Sequence, residues 1–281
     1  MDPIRDVAAL RQMLAGLEAA RLPGVEPSFS LGAAGPAAGG VCLARGALHE
    51  VQAACSADLP AAAGFALALA LRALQTADAG ERRPLLWVRQ DLAEAEFGRL
   101  DAPGIAALGL DPARLLVVRA RDGAEVLRAA GDAVRCAGLG ALLIETWGTP
   151  KALDLTATRR LALRAASSGV TSFLLHMAAQ AAPTAVATRW RVAPAASAPL
   201  EGDAPGAPSF HATLLRHRGG AGGVRPVEGG DWKLEWDHEA CTFRDLDPLP
   251  RAVVPVPAGR PDGAGAQEAR RGEVVALRRA G

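Results

Sequence analysis

The chain has 281 residues and a mass of 28.8 kDa, enough for one well-buried α/β core, or for a domain of about 200 residues with appendages. Half of its residues are apolar and 22% are charged, which excludes collagen, a coiled coil and a small disulfide scaffold. With 31 basic and 30 acidic residues the formal charge is +1, so no global field draws it to nucleic acid or a membrane, and either would need a local patch.

Alanine contributes 63 residues, tyrosine and asparagine none, and Lys151 and Lys233 are the only lysines. Chemistry that requires a lysine therefore has two places to happen. Cys42, Cys55, Cys136 and Cys241 are widely spaced, and the first residues, Met1-Asp2-Pro3-Ile4-Arg5-Asp6, lack the pattern of a signal peptide, so a reduced, cytoplasmic protein is expected. The longest apolar stretch, 61–71, meets Arg72 well short of the roughly 20 residues that span a bilayer. It reads as a buried helix, with no membrane contact expected.

Along the chain, Ile4, Val7, Leu10, Leu14 and Leu17 recur at steps of three and four, predicting an amphipathic helix within 1–22 that Pro23 and Gly24 end. Residues 23–46 are rich in Gly, Ala and Pro and read as a flexible linker. Short apolar runs then alternate with helical patterns: strands at 48–51, 85–89, 115–118, 141–144 and 171–176, helices at 61–74, 92–100, 124–137 and 155–167. That alternation predicts a doubly wound sheet of five parallel strands. Arg159, Arg160 and Arg164 fall on the outward face of the last crossover helix and read as a solvated surface. Beyond His176 the pattern becomes an antiparallel meander, with strands at 188–192, 210–217, 231–236 and near 241–244, interrupted by a low-complexity spacer at 193–208. The core thus covers 47–245. The Pro- and Gly-rich tail, 246–281, is expected to be disordered, because it cannot bury enough apolar area to offset its ordering entropy.

A strand, a loop and a buried helix form the setting in which a phosphate-binding loop is sought. The loop here, 52–60, carries Gln52, Cys55, Ser56 and Asp58, with no glycine between Gly46 and Gly64 and no lysine before Lys151. A working loop needs glycines that free backbone N–H groups, a lysine for the phosphates and a hydroxyl for Mg²⁺. Asp58 instead sets a negative charge where the phosphates would lie. Glu145, after the apolar run 141–144, stands where an acid would face the metal, and the strand 85–88 leads into Arg89-Gln90-Asp91 where an ATPase would carry a catalytic glutamate. No catalytic set, cofactor or metal is therefore expected. His211, His217, His238 and Cys241 lack paired ligand spacing and read as structural, and Ser56 lacks the Gly-x-Ser-x-Gly elbow of a hydrolase.

The order of these segments, with Leu108-Gly109-Leu110-Asp111-Pro112-Ala113-Arg114-Leu115-Leu116-Val117-Val118 and Gly140-Ala141-Leu142-Leu143-Ile144-Glu145, resembles the core of the RecA recombinase. Arg159-Arg160-Leu161-Ala162-Leu163-Arg164-Ala165-Ala166, Leu214-Leu215-Arg216-His217-Arg218-Gly219-Gly220, Trp232 and Glu235-Trp236-Asp237-His238-Glu239 are similar to the ImuA family, RecA-like proteins without a functional ATP site encoded in bacterial inducible mutagenesis cassettes. The resemblance spans roughly 1–245. It implies a RecA-like α/β fold and an accessory role in SOS-induced translesion DNA synthesis. The implied partners are RecA, an inactive Y-family-like polymerase homologue and an error-prone replicative polymerase.

Two contact surfaces are expected: the helix bearing Ile4, Val7, Leu10, Leu14 and Leu17, and the hairpin bearing Arg216, Arg218, Trp232 and Trp236. The two tryptophans are four apart on one strand face, where burial is favoured over base stacking. Two other readings stay open: a recombinase-type ATPase in which Arg45 or Arg72 replaces the lysine, and a module that binds single-stranded DNA. A weak DNA contact and homo-oligomers are compatible with all of these.

Overall fold

Strand and helix follow one another where the apolar runs alternate. A computed structural model describes residues 28–32, 41–75, 83–148, 150–177, 182–218 and 230–246. In chain order these form β1 (Ser28–Ser30), β2 (Cys42–Ala44), β3 (Leu48–Ala53), α1 (Leu59–Leu74), β4 (Leu85–Gln90), α2 (Asp91–Phe97), α3 (Ala102–Ala107), β5 (Leu115–Ala120) and α4 (Gly123–Ala133). There follow β6 (Ala141–Trp147), α5 (Leu155–Ser168), β7 (Thr171–Met177), β8 (Thr188–Pro194), β9 (Ser209–His217), β10 (Asp231–Asp237) and β11 (Thr242–Asp245).

Nine strands make one sheet in the order β11-β10-β9-β8-β3-β7-β6-β4-β5. From β8 to β5 all neighbours are parallel, and β8, β9, β10 and β11 pair antiparallel. The expected class, a doubly wound, mainly parallel α/β sheet with a C-terminal antiparallel meander, is the one observed. One strand changes role: β8 pairs in parallel with β3, His49 opposite Thr188, so there are six parallel strands and not five. β8 is at once the last parallel strand and the first of the meander.

Successive strand residues point to opposite faces, and each face has its own helices. On one face Val51, Leu85, Trp87, Leu143, Phe173, Leu175 and Trp190 pack under α1; on the other Leu48, Leu86, Val88, Leu142, Ile144 and Leu174 pack under α4 and α5. Helix α1 is made almost wholly of Ala and Leu, which lets it nest between the sheet and the meander with ten of its residues buried. Residues 56–74 are apolar and long enough to cross a membrane, yet 56% of that window is buried inside the protein, as in a core helix. Phe65 of α1 meets Trp190, Phe210 and Phe243 at ring-centroid distances of 5.8, 5.5 and 5.2 Å. Burying such a side chain contributes about 1.5–3 kcal/mol.

The helices on the other face start at aspartate caps: Asp122 accepts from the Glu125 N–H and Asp154 from the Ala157 N–H. Gly169, at φ +79°, ends α5 in the left-handed conformation that favours glycine.

Part of the expected linker 23–46 is structured. β1 and β2 pair antiparallel, and Phe29, Leu31, Val41 and Leu43 are no more than 5% exposed. The Gly/Pro-rich composition conceals four apolar residues at alternating positions, which join the α1 face of the core. His49 fastens β2 to the sheet: its Nε2–H donates to the Ala44 carbonyl at 2.9 Å, and its Nδ1 accepts from the Thr188 hydroxyl at 2.8 Å, which in turn accepts from Trp190 Nε1–H at 3.1 Å. The ring is completely buried, and burial, with a small addition from His217, lowers its pKa from 6.5 to about 4 against the Ala44 bond. The expected helix in 1–22 and the tail from 247 lie outside the described residues.

Candidate functional site

In open α/β sheets, ligands sit beyond the carboxyl ends of the strands. There the loop between β3 and α1 turns several of its donors back on the protein. The Ala54 N–H bonds the Val192 carbonyl at 2.8 Å. The Cys55 N–H and thiol both donate to Asp58 Oδ2 at 3.2 Å, and the Asp58 N–H returns to the Cys55 carbonyl at 3.0 Å, closing a 3-10 turn over Ser56–Asp58. Pro60, in the first turn of α1, removes one further N–H. Cys55 and Ser56 are exposed, and Gln52 donates to Glu50 Oε1 at 3.1 Å.

Glu145 is engaged in the same way. It lies directly across from Arg89 in the parallel register of β6 and β4. Its Oε2 accepts from Arg89 Nε at 2.7 Å and from Trp87 Nε1 at 2.7 Å, and its Oε1 accepts from Arg89 Nη2 at 3.3 Å. Glu145 is 1% and Arg89 5% exposed. The guanidinium also lies over the Trp87 ring, 5.7 Å from its centre. Arg89 thus takes the place where an ATPase of this layout would present a carboxylate, and its charge meets the acid that would face a metal. The residues present do not fit a magnesium nucleotide: the carboxylate is already neutralised, and the loop carries an acid and a proline in place of a backbone cradle.

Neither arginine considered as a lysine substitute reaches the loop. Arg72 Nε donates to the Ser30 carbonyl at 2.9 Å, and Arg45 donates to the carbonyls of Ala73 and Gln75. Both work at the C-terminal end of α1, about 20 Å of helix from its start, where they hold the β1–β2 hairpin.

A second buried polar group, not anticipated from the sequence, occupies the opposite face of the sheet. Glu50 on β3 pairs with its register neighbour Arg189 on β8, Nε to Oε2 at 3.0 Å, accepts from the Thr184 hydroxyl at 2.5 Å, and faces His176 Nε2 at 3.7 Å. Arg189 also donates to the Ala182 carbonyl and the Thr184 hydroxyl, tying the segment before β8 to the sheet. Burial holds the His176 pKa below its usual value, with Glu50 opposing the shift and Arg189 adding to it. The available signal was His49-Glu50 inside the apolar strand 48–51: a carboxylate there needs a buried partner.

Of the expected contact residues on the hairpin, Trp236 is fully buried, its Nε1 donating to the Leu108 carbonyl at 2.9 Å and its ring 4.9 Å from Phe243. It supports the core and offers no surface. Trp232 is half-buried against Trp190, 5.8 Å between ring centres. Arg216, half-buried, donates to the Thr184 carbonyl at 3.3 Å, and Arg218 is exposed. His217 donates from Nε2 to the Cys42 carbonyl at 3.2 Å, and His211 lies 3.6 Å from Asp231. Among the described residues no three His, Cys, Asp or Glu side chains converge as metal ligands. Ile4, Val7, Leu10, Leu14 and Leu17 lie outside the described residues.

No family model matches the chain. Among solved structures it is similar to the RadB recombinase, with 13% identity and a TM-score of 0.45 over 75% of this chain and 94% of that one. Among curated proteins it is similar to Protein ImuA from two strains of Caulobacter vibrioides, 36% identical to each over 234 residues that cover 78% of this chain and 88% of the relative. The resemblance carried by the sequence motifs is thereby borne out, and the chain belongs to the ImuA family.

Proposed function

We propose that this chain is a non-catalytic, RecA-like accessory protein of SOS-induced translesion DNA synthesis and mutagenesis, which acts by protein–protein recruitment. Membership of the ImuA family supports a role in the mutagenesis cassette. The mechanism rests on one observation: the Arg89 guanidinium is seated on the Glu145 carboxylate, the group a nucleotide enzyme of this layout would keep for its metal. With Asp58 and Pro60 at the start of α1, a triphosphate would meet negative charge and a loop without glycine or lysine. A scaffold that keeps its sheet and gives up this site acts through its surfaces. Its partners in this reading are RecA and the polymerase-like proteins of the cassette.

Two measurements on the full chain test the proposal. Pairwise binding to purified RecA and to the cassette's polymerase-like proteins should give saturable complexes, while titration with ATP and Mg²⁺ should give no saturation in the micromolar range. Micromolar ATP affinity accompanied by hydrolysis would overturn it. If instead the chain binds a single-stranded oligonucleotide with an affinity that falls steeply with salt, as release of counterions requires, and binds none of the proteins, a DNA-binding module replaces the adaptor.

A further inference from the structure

Helices α4 and α5 lie side by side on the face of the sheet away from α1, and a groove of about 330 Å³ runs between them. Arg128, Arg160 and Arg164 line it against a single acid, Asp132, with Leu127 and Leu161 at its base. Arg164 Nη1 donates to the Gly131 carbonyl at 3.1 Å, which lays its guanidinium across the groove. Gly131 makes room for this, because a Cβ there would stand 2.8 Å from that nitrogen.

Beside the groove on α5, Leu163 lies three residues from Arg160, on its exposed side, and is 64% exposed. An arginine-rich helix face alone is usually just solvated, and a lone exposed leucine needs no explanation. Here a concave groove lined by three arginines adjoins an exposed leucine. Arginine is enriched at protein contacts and forms paired bonds with carboxylates, while its apolar neighbours can seat an aliphatic anchor.

We infer that the α4–α5 groove is the docking site for an acidic segment of a protein partner, whose carboxylates pair with Arg128, Arg160 and Arg164 and whose aliphatic side chain packs on Leu163. Charge complementarity selects an acidic occupant, and Leu127 and Leu161 in the groove, with Leu163 beside it, favour a peptide over a nucleic acid backbone. This inference rests on the recruitment reading and gives it a surface.

The test uses the full chain, with purified RecA and the cassette's polymerase-like proteins as probes. The Arg128→Glu/Arg160→Glu and Leu163→Ser variants should each weaken one of these complexes by about 10-fold or more, the size of an interface hot spot. The milder Arg128→Gln/Arg160→Gln pair, measured alongside with far-UV circular dichroism, reads the same contact should the reversal disturb folding. Unchanged affinity for every partner that the wild type binds overturns this inference and leaves recruitment standing. Absence of any protein binding by the wild type overturns both. A variant that loses only binding to single-stranded oligothymidine assigns the groove to nucleic acid, and one that loses only self-association in sedimentation velocity assigns it to a second copy; either result also overturns the inference.

Discussion

Replacing Arg89 by Met leaves the Glu145 carboxylate 1% exposed with only the Trp87 indole as donor. Removing one partner of a buried ion pair costs about 3–5 kcal/mol, because the remaining charge is neither solvated nor paired. For a folded unit of this size that lowers the melting temperature by about 6–20 °C. Glu145→Gln alone strands the guanidinium, 5% exposed, and should cost a comparable amount. The double variant Arg89→Met/Glu145→Gln removes both charges while the amide oxygen still accepts from Trp87. It should therefore recover most of the loss, giving a coupling energy of about 2 kcal/mol or more in a double-mutant cycle. Urea unfolding followed by tryptophan fluorescence and far-UV circular dichroism measures all four proteins, and Trp87 itself reports on the pair. Additive single effects, or a loss below about 1 kcal/mol for Arg89→Met, would refute the reading of Glu145 as a carboxylate held by its neighbour.

Three further outcomes are expected. His49, with its pKa lowered from 6.5 to about 4, binds its proton more readily in the unfolded chain, so stability is full above pH 6.5, declines as pH falls, and levels off below about 4; the loss amounts to about 3 kcal/mol, and flat urea midpoints from pH 7 to pH 5 would contradict it. Gly109 has φ +97° and a Cβ there would lie 2.8 Å from the His238 carbonyl oxygen, so Gly109→Ala should destabilise by about 1–3 kcal/mol; a neutral result in the same assay would count against the close approach. Leu43→Ala should cost about 2–5 kcal/mol if the β1–β2 hairpin belongs to the core, whereas a change within about 0.5 kcal/mol would return these residues to the status of a linker.

Periodicity carried most of the fold. The strands and crossover helices from 48 to 245 fall within a few residues of their expected bounds, because each apolar run is long enough to be buried on one or both sheet faces. The exceptions have local causes. Helix α3 contains Pro103 and Gly104, residues that read as a turn, and it forms because Asp101 caps it through the Gly104 N–H at 2.8 Å. The β1 and β2 strands are three residues each, too short for an alternation to stand out from alanine and glycine. The parallel pairing of β8 depends on which strand it neighbours, and local pattern says nothing about that.

The site was legible by its losses and not by its replacements. Missing glycines and lysine can be read directly, but the Arg89–Glu145 pair joins residues that are 56 apart. It exists only because β4 and β6 are neighbours while β5, which lies between them in sequence, sits at the edge. The same holds for Glu50 and Arg189, which meet across β3 and β8.

These two pairs share a physical logic. Each sets a carboxylate on a parallel strand, on opposite faces of the sheet, and each is met by an arginine from the adjacent strand in direct register. A buried acid without a ligand would be costly, so a sheet of this kind that gives up its cation needs one of its own. Arginine meets that need better than lysine: a forked guanidinium can engage both carboxylate oxygens, as Arg89 does with Glu145, and it keeps its charge at any physiological pH. The neutral, buried His49 and His176, in contrast, must lose stability when acid charges them. Acid should therefore loosen the structure through these histidines, which anchor the β1–β2 hairpin and the strands around Glu50.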